Sequence, residues 1–227
     1  MNLVIDIGNT AVKWATFERG QLTEQGNELP TDKLSAADAV LVCASGQMPE
    51  ALSHLPLLTA DTPLPLHLNY KTPQTLGADR IAAACGALAL HRGEPCLIID
   101  AGTCITVDFL DAKGTYHGGA ILPGLGMSLQ ALHEFTAKLP LVDISNVTKA
   151  PVLGRSTEES ILAGTLGATM LALAGFVALY KEKAPGLHVL LTGGDAERLM
   201  TAGTNGWEHE PHLTLKGINE IIIHNEK

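Results

Sequence analysis

Two short turns in the sequence have the residue types that bind phosphate groups. Gly8–Thr10 follows an apolar run that ends near Asp6, and Gly102–Thr103 follows one that ends near Asp100. Glycine removes the side chain that would keep backbone N–H groups away from phosphate oxygens. Aspartate oxygens suit hard cations such as magnesium or potassium, which can bridge protein and phosphate. The sequence therefore predicts two turns that bind a phosphorylated ligand and its cations.

The two turns lie in segments that resemble each other along their whole length. Leu3–Gly20 reads LVIDIGNTAVKWATFERG and aligns without gaps on Leu97–Gly114, which reads LIIDAGTCITVDFLDAKG. A single copy has a simpler alternative, an ordinary hairpin turn in which Asp6 caps the backbone. Two copies favour an internal duplication, with opposed phosphate hairpins as a two-lobed nucleotide clamp requires.

Lys13 and the segment Gly77–Arg80 (GADR) complete the candidate chemistry. An ammonium group at Lys13, three residues beyond Thr10, would offset phosphate charge; the alternative is a surface lysine. An aspartate such as Asp79 can accept the proton of a substrate hydroxyl, whereas its alternative is a surface ion pair with Arg80. Phosphoryl transfer needs mainly positioning, charge neutralisation and an oriented nucleophile, so these residues predict a kinase.

The surrounding sequence predicts the elements that position these residues. The predicted strands are Asn2–Ile7, Ala11–Phe17 and Ala39–Cys43, the predicted helix is Pro73–His91, and a glycine-rich turn opens a helix within Leu187–Met200. The proline-studded stretch Thr59–Pro73 predicts a loop or an edge segment. Strands that alternate with helices indicate an α/β fold with mixed sheets. We expect an N-terminal lobe at 1–94 and a C-terminal lobe at 95–227, whose last residues can pack back on the first.

The segment Ile161–Tyr180 carries no charge and is long enough to span a bilayer. Ser156 and Glu159 before it form a capping-box pattern, and Lys181–Lys183 follow it directly. We therefore predict a helix buried in the core or in a subunit interface rather than a membrane span. The interface interpretation predicts a homodimer, because small residues let two helices approach closely; these are Ala163, Gly167 and Gly175.

Composition excludes several classes of function. With 24 acidic and 15 basic residues, the net charge of -9 provides no positive field for nucleic acid. Nine scattered histidines without an HExxH spacing disfavour a metalloenzyme.

The N-terminus has neither the basic nor the long apolar region of a signal peptide, which predicts a cytoplasmic protein. The four cysteines form no CxxC pair and predict buried thiols in a reducing compartment: Cys43, Cys85, Cys96 and Cys104.

In order and spacing, these motifs resemble those of the type III pantothenate kinase family. The resemblance is carried by DIGNT with Lys13, GADR at 77–80, IDAGT at 99–103, GGAILPG at 118–124 and TGGD at 192–195. That family belongs to the acetate and sugar kinase, Hsp70 and actin superfamily. The resemblance implies a two-lobed, actin-like and ribonuclease H-like α/β fold with duplicated halves and an interlobe nucleotide cleft. It also implies phosphorylation of pantothenate, the first step towards coenzyme A, with ATP, magnesium and a monovalent cation, potassium or ammonium.

The resemblance further implies roles for individual residues. Asp79 is the general base, Asp100 lies near the monovalent cation, and Thr103 binds ATP in the second hairpin. The ATP-binding residues of the first hairpin are Asp6, Ile7, Gly8, Asn9, Thr10, Ala11, Val12 and Lys13. The pantothenate-binding residues are Tyr70, Gly77, Ala78, Asp79, Arg80 and Thr157. Thr157 is contributed across the dimer interface, and its alternative role is to cap a helix.

Two features depart from the family pattern, and other functions stay open. Cys104 stands where a small residue is usual, and the chain is short, which leaves the loops over the nucleotide base in question. A sugar kinase of the same superfamily is one alternative, although such chains are longer. A non-catalytic nucleotide-binding or regulatory module is another, since family members have been described as transcriptional accessory factors. The intact Asp79 favours catalysis.

Overall fold

The computed structural model describes residues 1–145, 147, 149, 151–204 and 206–226. Its strands are β1 (Asn2–Ile7), β2 (Val12–Glu18), β3 (Gln21–Gly26), β4 (Ala39–Ala44), β5 (His67–Leu68), β6 (Cys96–Ala101), β7 (Cys104–Leu110), β8 (Thr115–Pro123), β9 (His188–Thr192) and β10 (Glu208–His209). Its α-helices are α1 (Ala78–Leu90), α2 (Leu125–Glu134), α3 (Thr157–Leu162), α4 (Ala168–Lys183), α5 (Ala196–Gly203) and α6 (Leu213–Asn225). The predicted α/β class is confirmed.

The chain forms two compact units, each assembled from separate segments. The first contains Met1–Cys96, Asp108–Gly118 and His212–Lys227, and the second contains Leu97–Val107 and Gly119–Pro211. The boundary between the units therefore runs through β7 and β8.

A four-stranded sheet forms the centre of the first unit, in the order β3-β2-β1-β4. β1 pairs with β2 antiparallel and with β4 parallel. Alternate residues of β1 point into one buried cluster, which consists of Leu3, Ile5, Ile7, Trp14, Val42 and Leu52. Helices α1 and α6 pack against each other in the same unit.

The second sheet repeats the strand order of the first. Its order is β10-β9-β6-β7-β8-β5, so that β9-β6-β7-β8 corresponds to β4-β1-β2-β3. The glycines that close the two hairpins, Gly20 and Gly114, both adopt the left-handed conformation, with φ of 79° and 76°. Glycine alone adopts this conformation at little cost. The duplication predicted from the sequence therefore extends from residue types to topology.

The predicted strands match the observed ones closely, whereas the first predicted helix begins later than expected. Pro73–Thr75 forms a separate 3₁₀ turn, and α1 begins at Ala78 after the extended N-cap residue Gly77. The predicted edge segment is also found, since β5 pairs in parallel with β8. These features place the GADR segment at the N-terminus of α1.

The uncharged segment lies in a continuous helical stretch, Thr157–Lys183, with a π-helical turn at Ala163–Gly167 between α3 and α4. Ser156 is its N-cap, and the Ser156 Oγ accepts a hydrogen bond from the Glu159 N–H at 3.1 Å. The Glu159 carboxylate accepts from the Arg155 N–H at 2.6 Å, one residue before the N-cap. The cap is therefore Ser156, and the alternative capping role of Thr157 is wrong.

Most of this stretch is exposed. By length and composition it could cross a membrane, a property that core helices of many proteins share, yet only 28% of its most apolar 18-residue window is buried. Leu171 and Leu179 are 75% and 56% exposed. The expectation of a helix buried in the core of this chain is therefore wrong, and the subunit-interface alternative is the one that stays open.

The cysteines follow the prediction with one exception. Cys43, Cys85 and Cys96 are buried free thiols, whereas Cys104 is exposed. Cys104 is the first residue of β7 and directly follows the second turn, where the chain is at the surface.

Candidate active site

The first candidate phosphate turn connects β1 to β2. Its N–H at Gly8 donates to the carbonyl of Ala11 at 2.9 Å, which closes the turn. Asp6 and Lys13 are paired residues of the antiparallel ladder. Directly paired residues have neighbouring Cβ atoms on one face of the sheet, so the sequence places a carboxylate and an ammonium group side by side at the base of the turn.

The end of β4 supports this turn from the other side. The Ile7 carbonyl accepts hydrogen bonds from the N–H groups of Ser45 and Gly46, each at 2.9 Å. A Cβ atom at Gly46 would lie 2.3 Å from the Gly8 carbonyl oxygen, so that only glycine fits there. The backbone of the turn is therefore held in place by close contact with a neighbouring strand, as a rigid phosphate site requires.

Asp6, beside the first turn, differs from an ordinary surface carboxylate in its hydrogen bonding and in its pKa. Its Oδ1 atom is buried and has no hydrogen-bond partner among the described residues. Burial, followed by the charge of Asp79, raises the Asp6 pKa from 3.8 to about 6, while Lys13 and a hydrogen bond from Cys43 act in the opposite direction. Buried polar atoms are normally satisfied, so this oxygen is available to a bound ligand. A divalent cation suits it, because carboxylate oxygen is the donor such cations prefer.

We expect Asp6→Asn to stabilise the ligand-free protein at pH 8. Because the folded pKa exceeds the unfolded one, Asp6 favours folding below its unfolded pKa and loses that contribution as pH rises through about 6. The cost of the charged form at pH 8 is at most about 3 kcal/mol. Urea unfolding in the presence of a chelator should show a gain for Asp6→Asn that is larger at pH 8 than at pH 4.5.

The control for this prediction is Asp61→Asn, since Asp61 is exposed. Its effect on the free energy of unfolding should be small at both pH values. A gain for Asp6→Asn that is equal at the two pH values would contradict the assignment of the buried charge.

The second candidate turn connects β6 to β7, and a backbone hydrogen bond closes it as in the first turn. The Gly102 N–H donates to the Cys104 carbonyl at 3.0 Å, so this turn is one residue tighter than the first. The Gly124 N–H donates to the Thr103 carbonyl at 3.1 Å. A Cβ atom at Gly124, which follows β8, would lie 2.3 Å from the Gly102 carbonyl oxygen, so that this turn too is in close contact with a glycine from another segment.

Asp100 and the glycine-rich turn after β9 lie together in the second unit. The Asp195 N–H donates to the Ala101 carbonyl at 2.9 Å. Gly193 has φ of 96°, and a Cβ atom there would lie 2.4 Å from the Ala101 carbonyl oxygen and 2.5 Å from Asp100 Oδ1. The structure thus brings the IDAGT and TGGD motifs into contact, as a single site requires.

The GADR segment places Asp79 in the first turn of α1. Gly77 is the N-cap, and its carbonyl accepts the first helical hydrogen bond, from Ile81 at 3.2 Å. The Arg80 N–H donates to Asp79 Oδ1 at 2.8 Å. Asp79 is also close enough to Asp6 for its charge to raise the Asp6 pKa. The predicted base and the first phosphate turn are therefore neighbours within the first unit.

Arg80 does not pair with Asp79, so the surface ion-pair alternative is wrong. Its Nε lies 3.1 Å from Asp108 Oδ2, and its second terminal nitrogen lies 2.5 Å from Asp108 Oδ1. The Tyr116 hydroxyl donates to Asp108 Oδ1 at 2.7 Å. Arg80, Asp108 and Tyr116 are 7%, 1% and 0% exposed. Sequence reasoning missed Asp108 and Tyr116, although an aspartate inside the apolar strand ITVDF was a usable signal.

The pKa shifts in this cluster follow from its burial. Burial alone would lower the Arg80 pKa, but the hydrogen bonds and charge of Asp108 outweigh it and hold the pKa above its ordinary value. Burial and the charge of Asp108 raise the Tyr116 pKa. Arg80 is therefore charged and Tyr116 is a hydroxyl donor over the whole working range of pH.

Tyr70 completes this cluster. Its ring centroid lies 6.0 Å from the Arg80 guanidinium carbon and 6.1 Å from the Tyr116 ring centroid. The neighbouring Asn69 N–H donates to the Tyr116 carbonyl at 2.9 Å. A Cβ atom at Gly118 would lie 2.9 Å from the Tyr70 ring. The structure thus brings the predicted substrate residue Tyr70 onto the GADR segment.

The predicted site residues are divided between the two units. The first unit contains the turn of the first hairpin, Tyr70 and the GADR segment, and the second contains Asp100, Thr103 and Thr157. Thr157 is exposed at the first position of α3.

A family model and full-length relatives of this chain name the same family. The family model described as Type III pantothenate kinase matches residues 50–179. Two proteins named type III pantothenate kinase, from Phocaeicola vulgatus and Bacteroides fragilis, are 40% and 39% identical to this chain. The alignments cover 100% of both chains in the first case, and 99% of this chain and 98% of the relative in the second.

Solved structures of other proteins superpose on the fold of this chain. A Campylobacter jejuni protein assigned to the Baf family of transcriptional activators superposes with a TM-score of 0.64 at 21% identity, over 99% of this chain and 98% of the other. A Sinorhizobium meliloti protein assigned as a 2-dehydro-3-deoxygalactonokinase gives 0.61 at 11% identity, over 99% of each chain. At these identities the superpositions show a shared fold and no more. From the family match and the full-length relatives, this chain belongs to the type III pantothenate kinase family.

Proposed function

We propose that this protein transfers the γ-phosphoryl group of ATP to the terminal hydroxyl of pantothenate, the first step of coenzyme A biosynthesis. The observation that carries the proposal is the pair of carboxylates in the first unit, where the buried, unpartnered Oδ1 of Asp6 is electrostatically coupled to Asp79. One carboxylate suits a cation on phosphate, and the other suits proton transfer. The names of the full-length relatives support pantothenate as acceptor.

In this proposal Asp79 is the general base. Its Oδ1 is held by the Arg80 N–H, so Oδ2 is the atom that takes the proton of the attacking hydroxyl. The hydroxyl oxygen then bonds to the γ-phosphorus as the bond to the leaving oxygen of ADP breaks. Such positioned proton transfer contributes about 10²- to 10⁴-fold to rate.

The two glycine-containing turns are proposed to bind ATP. Residues 6–13 in the first unit and Thr103 in the second contact phosphate oxygens, and Lys13 offsets their charge. Magnesium, when bound, supplies further neutralisation of phosphate charge, and Asp6 is the residue that would hold it. Asp100, whose Oδ1 lies next to Gly193 in the glycine-rich turn, is the proposed ligand of a potassium or ammonium ion.

A coupled ADP-release assay tests this proposal. With ATP and magnesium, we expect turnover that depends on pantothenate and is faster in potassium than in sodium alone. Equal turnover in the two buffers would contradict the cation role of Asp100. Turnover with 2-dehydro-3-deoxygalactonate but not with pantothenate would favour the sugar-kinase alternative, and ATP binding without any turnover would favour a regulatory module.

We further propose a homodimer formed through the exposed helical face of α3 and α4. Leu171 and Leu179 lie on this face and are exposed in the single chain, as is Val152 before it. Burial of such residues in an interface is favourable by about 25 cal/mol for each Å² of apolar surface. Thr157, at the start of the same helix, is proposed to contact pantothenate bound to the partner. The proposal places this dimer in the cytoplasm, without a nucleic-acid or membrane partner.

Sedimentation velocity tests the dimer. We expect a dimer at micromolar concentration and a monomer for Leu171→Glu, because a buried charge without a partner opposes association. The matched control is Leu90→Glu, since Leu90 is an exposed leucine of the first unit; this variant should stay dimeric. A wild-type protein that sediments as a monomer would refute the proposal.

A further inference from the structure

We propose that Asp108 and Tyr116 are positioning residues of the kinase site, which act by fixing Arg80 and, through it, Tyr70 and the start of α1. The inference rests on the proposed function. Neither residue contacts the reacting atoms in this proposal. Their role is to hold in one geometry the residues that bind the substrate and accept its proton.

The contact between Asp108 and Arg80 is an ion pair with fixed geometry. The Arg80 Nε lies 3.2 Å and 3.1 Å from the two Asp108 oxygens, and a terminal nitrogen lies 2.5 Å from Oδ1. A guanidinium group that shares several hydrogen bonds with one carboxylate is restricted in both position and plane. Arg80 is thereby anchored from β7, although it is located on α1.

Tyr116 fixes the carboxylate in turn. Its side chain is completely buried, and its hydroxyl donates to the same Asp108 oxygen that binds the terminal nitrogen of Arg80. A buried carboxylate needs its remaining lone pairs satisfied, and the tyrosine supplies a neutral donor at 2.7 Å. The three side chains form one hydrogen-bonded network centred on Asp108, within the first unit.

The anchored Arg80 then restricts Tyr70. The guanidinium carbon lies 6.0 Å from the Tyr70 ring centroid, within the range of a cation–π contact. Two contacts with β8 restrict Tyr70 further. The N–H of the preceding residue, Asn69, donates to the Tyr116 carbonyl, and the lack of a side chain at Gly118 leaves space for the Tyr70 ring. Because β8 also supplies Tyr116, one strand determines both the Arg80 anchor and the Tyr70 position.

Arg80 also connects the anchor to the base. It directly follows Asp79 in the first turn of α1, and its N–H donates to Asp79 Oδ1 at 2.8 Å. Loss of the Asp108 anchor leaves a buried guanidinium without its counter-ion, which must then move towards another partner or water. Such a movement displaces Asp79, the proposed base, and Tyr70, the proposed substrate contact.

The test measures kinetic constants for pantothenate and for ATP in folded variants, well below their Tm. We expect Asp108→Asn to lower kcat/KM for pantothenate about 10- to 100-fold, since a displacement of about 1 Å can have that effect. KM for ATP should stay close to that of the wild type, because both phosphate turns are held by contacts outside this cluster, the first by Gly46 and the second by Gly124. Asp61→Asn, in an exposed loop, is the matched control and should behave as wild type.

Tyr116→Phe keeps the ring and the ion pair and removes only one hydroxyl, so it provides a test if Asp108→Asn does not fold. We expect about a 3- to 10-fold loss of kcat/KM for pantothenate, which corresponds to the loss of one hydrogen bond of ordinary net strength, about 1 kcal/mol. Normal kinetics in folded Asp108→Asn and Tyr116→Phe, with only a lowered Tm, would overturn the proposal and leave a purely structural role.

A double-mutant cycle tests whether Asp108 acts through Arg80. In an Arg80→Gln background, Asp108→Asn should have little further effect on kcat/KM for pantothenate, because the residue through which it acts is already altered. Additive losses would overturn the proposal. Wild-type enzyme without pantothenate turnover would refute the proposed function itself, a result distinct from normal turnover that is insensitive to Asp108.

Discussion

Asp79→Asn should lower kcat for pantothenate phosphorylation by about 10²- to 10⁴-fold, the usual contribution of a positioned general base. Asparagine keeps an oxygen that can accept the Arg80 N–H, so the first turn of α1 should stay intact. It lacks the carboxylate that takes the proton from the substrate hydroxyl. Steady-state kinetics with saturating ATP, together with circular dichroism, check this result.

The same variant makes a second observable change. Because the negative charge of Asp79 contributes to the raised pKa of Asp6, its removal should lower the Asp6 pKa towards its ordinary value. Carbon-13 NMR of the aspartate carboxyl groups measures this shift. Retained turnover in folded Asp79→Asn would show that another residue is the base, and an unchanged Asp6 pKa would show that the two carboxylates do not interact.

Gly217→Ala should destabilise the first unit by about 3 kcal/mol or more, or prevent folding. Gly217 lies where α6 crosses α1, and a Cβ atom there would lie 1.7 Å from the Ala82 carbonyl oxygen and 2.6 Å from its carbon. A backbone group cannot rotate away as a side chain can, so the helices must separate. Overpacking of this kind costs about 1–3 kcal/mol and occasionally more. Urea unfolding of the purified variant measures the loss.

Gly126→Ala is the control for this substitution. Gly126 is an exposed residue of α2, and nothing lies within 4 Å of a Cβ atom built there. Alanine in place of an unstrained helical glycine stabilises a helix by up to about 1 kcal/mol. A Gly217→Ala protein as stable as Gly126→Ala would show that α1 and α6 do not cross as closely as described.

The features that the sequence predicts well depend on local pattern. The hairpins around Gly8 and Gly102 follow from apolar runs and turn residues, and their common strand order follows from the duplication. The extended conformation of Gly77, which delays the start of α1, is a local feature that the apolar spacing of the helix does not report.

The features that were missed depend on contacts between distant parts of the chain. Arg80 pairs with Asp108 from another strand rather than with the adjacent Asp79, and no local pattern distinguishes these partners. The surroundings of the helical stretch Thr157–Lys183 depend on such distant contacts too. Apolar composition indicates that a helix will be buried but does not indicate what covers it, and in the single chain most of it is uncovered.

The most direct test of the account is detection of phosphorylated pantothenate. Protein incubated with ATP, magnesium, potassium and pantothenate should form a product heavier than pantothenate by one phosphoryl group, as measured by mass spectrometry. The product should be absent without ATP and strongly reduced with Asp79→Asn. Hydrolysis of ATP at the same rate with and without pantothenate, and without that product, would contradict the assignment of this protein as a pantothenate kinase.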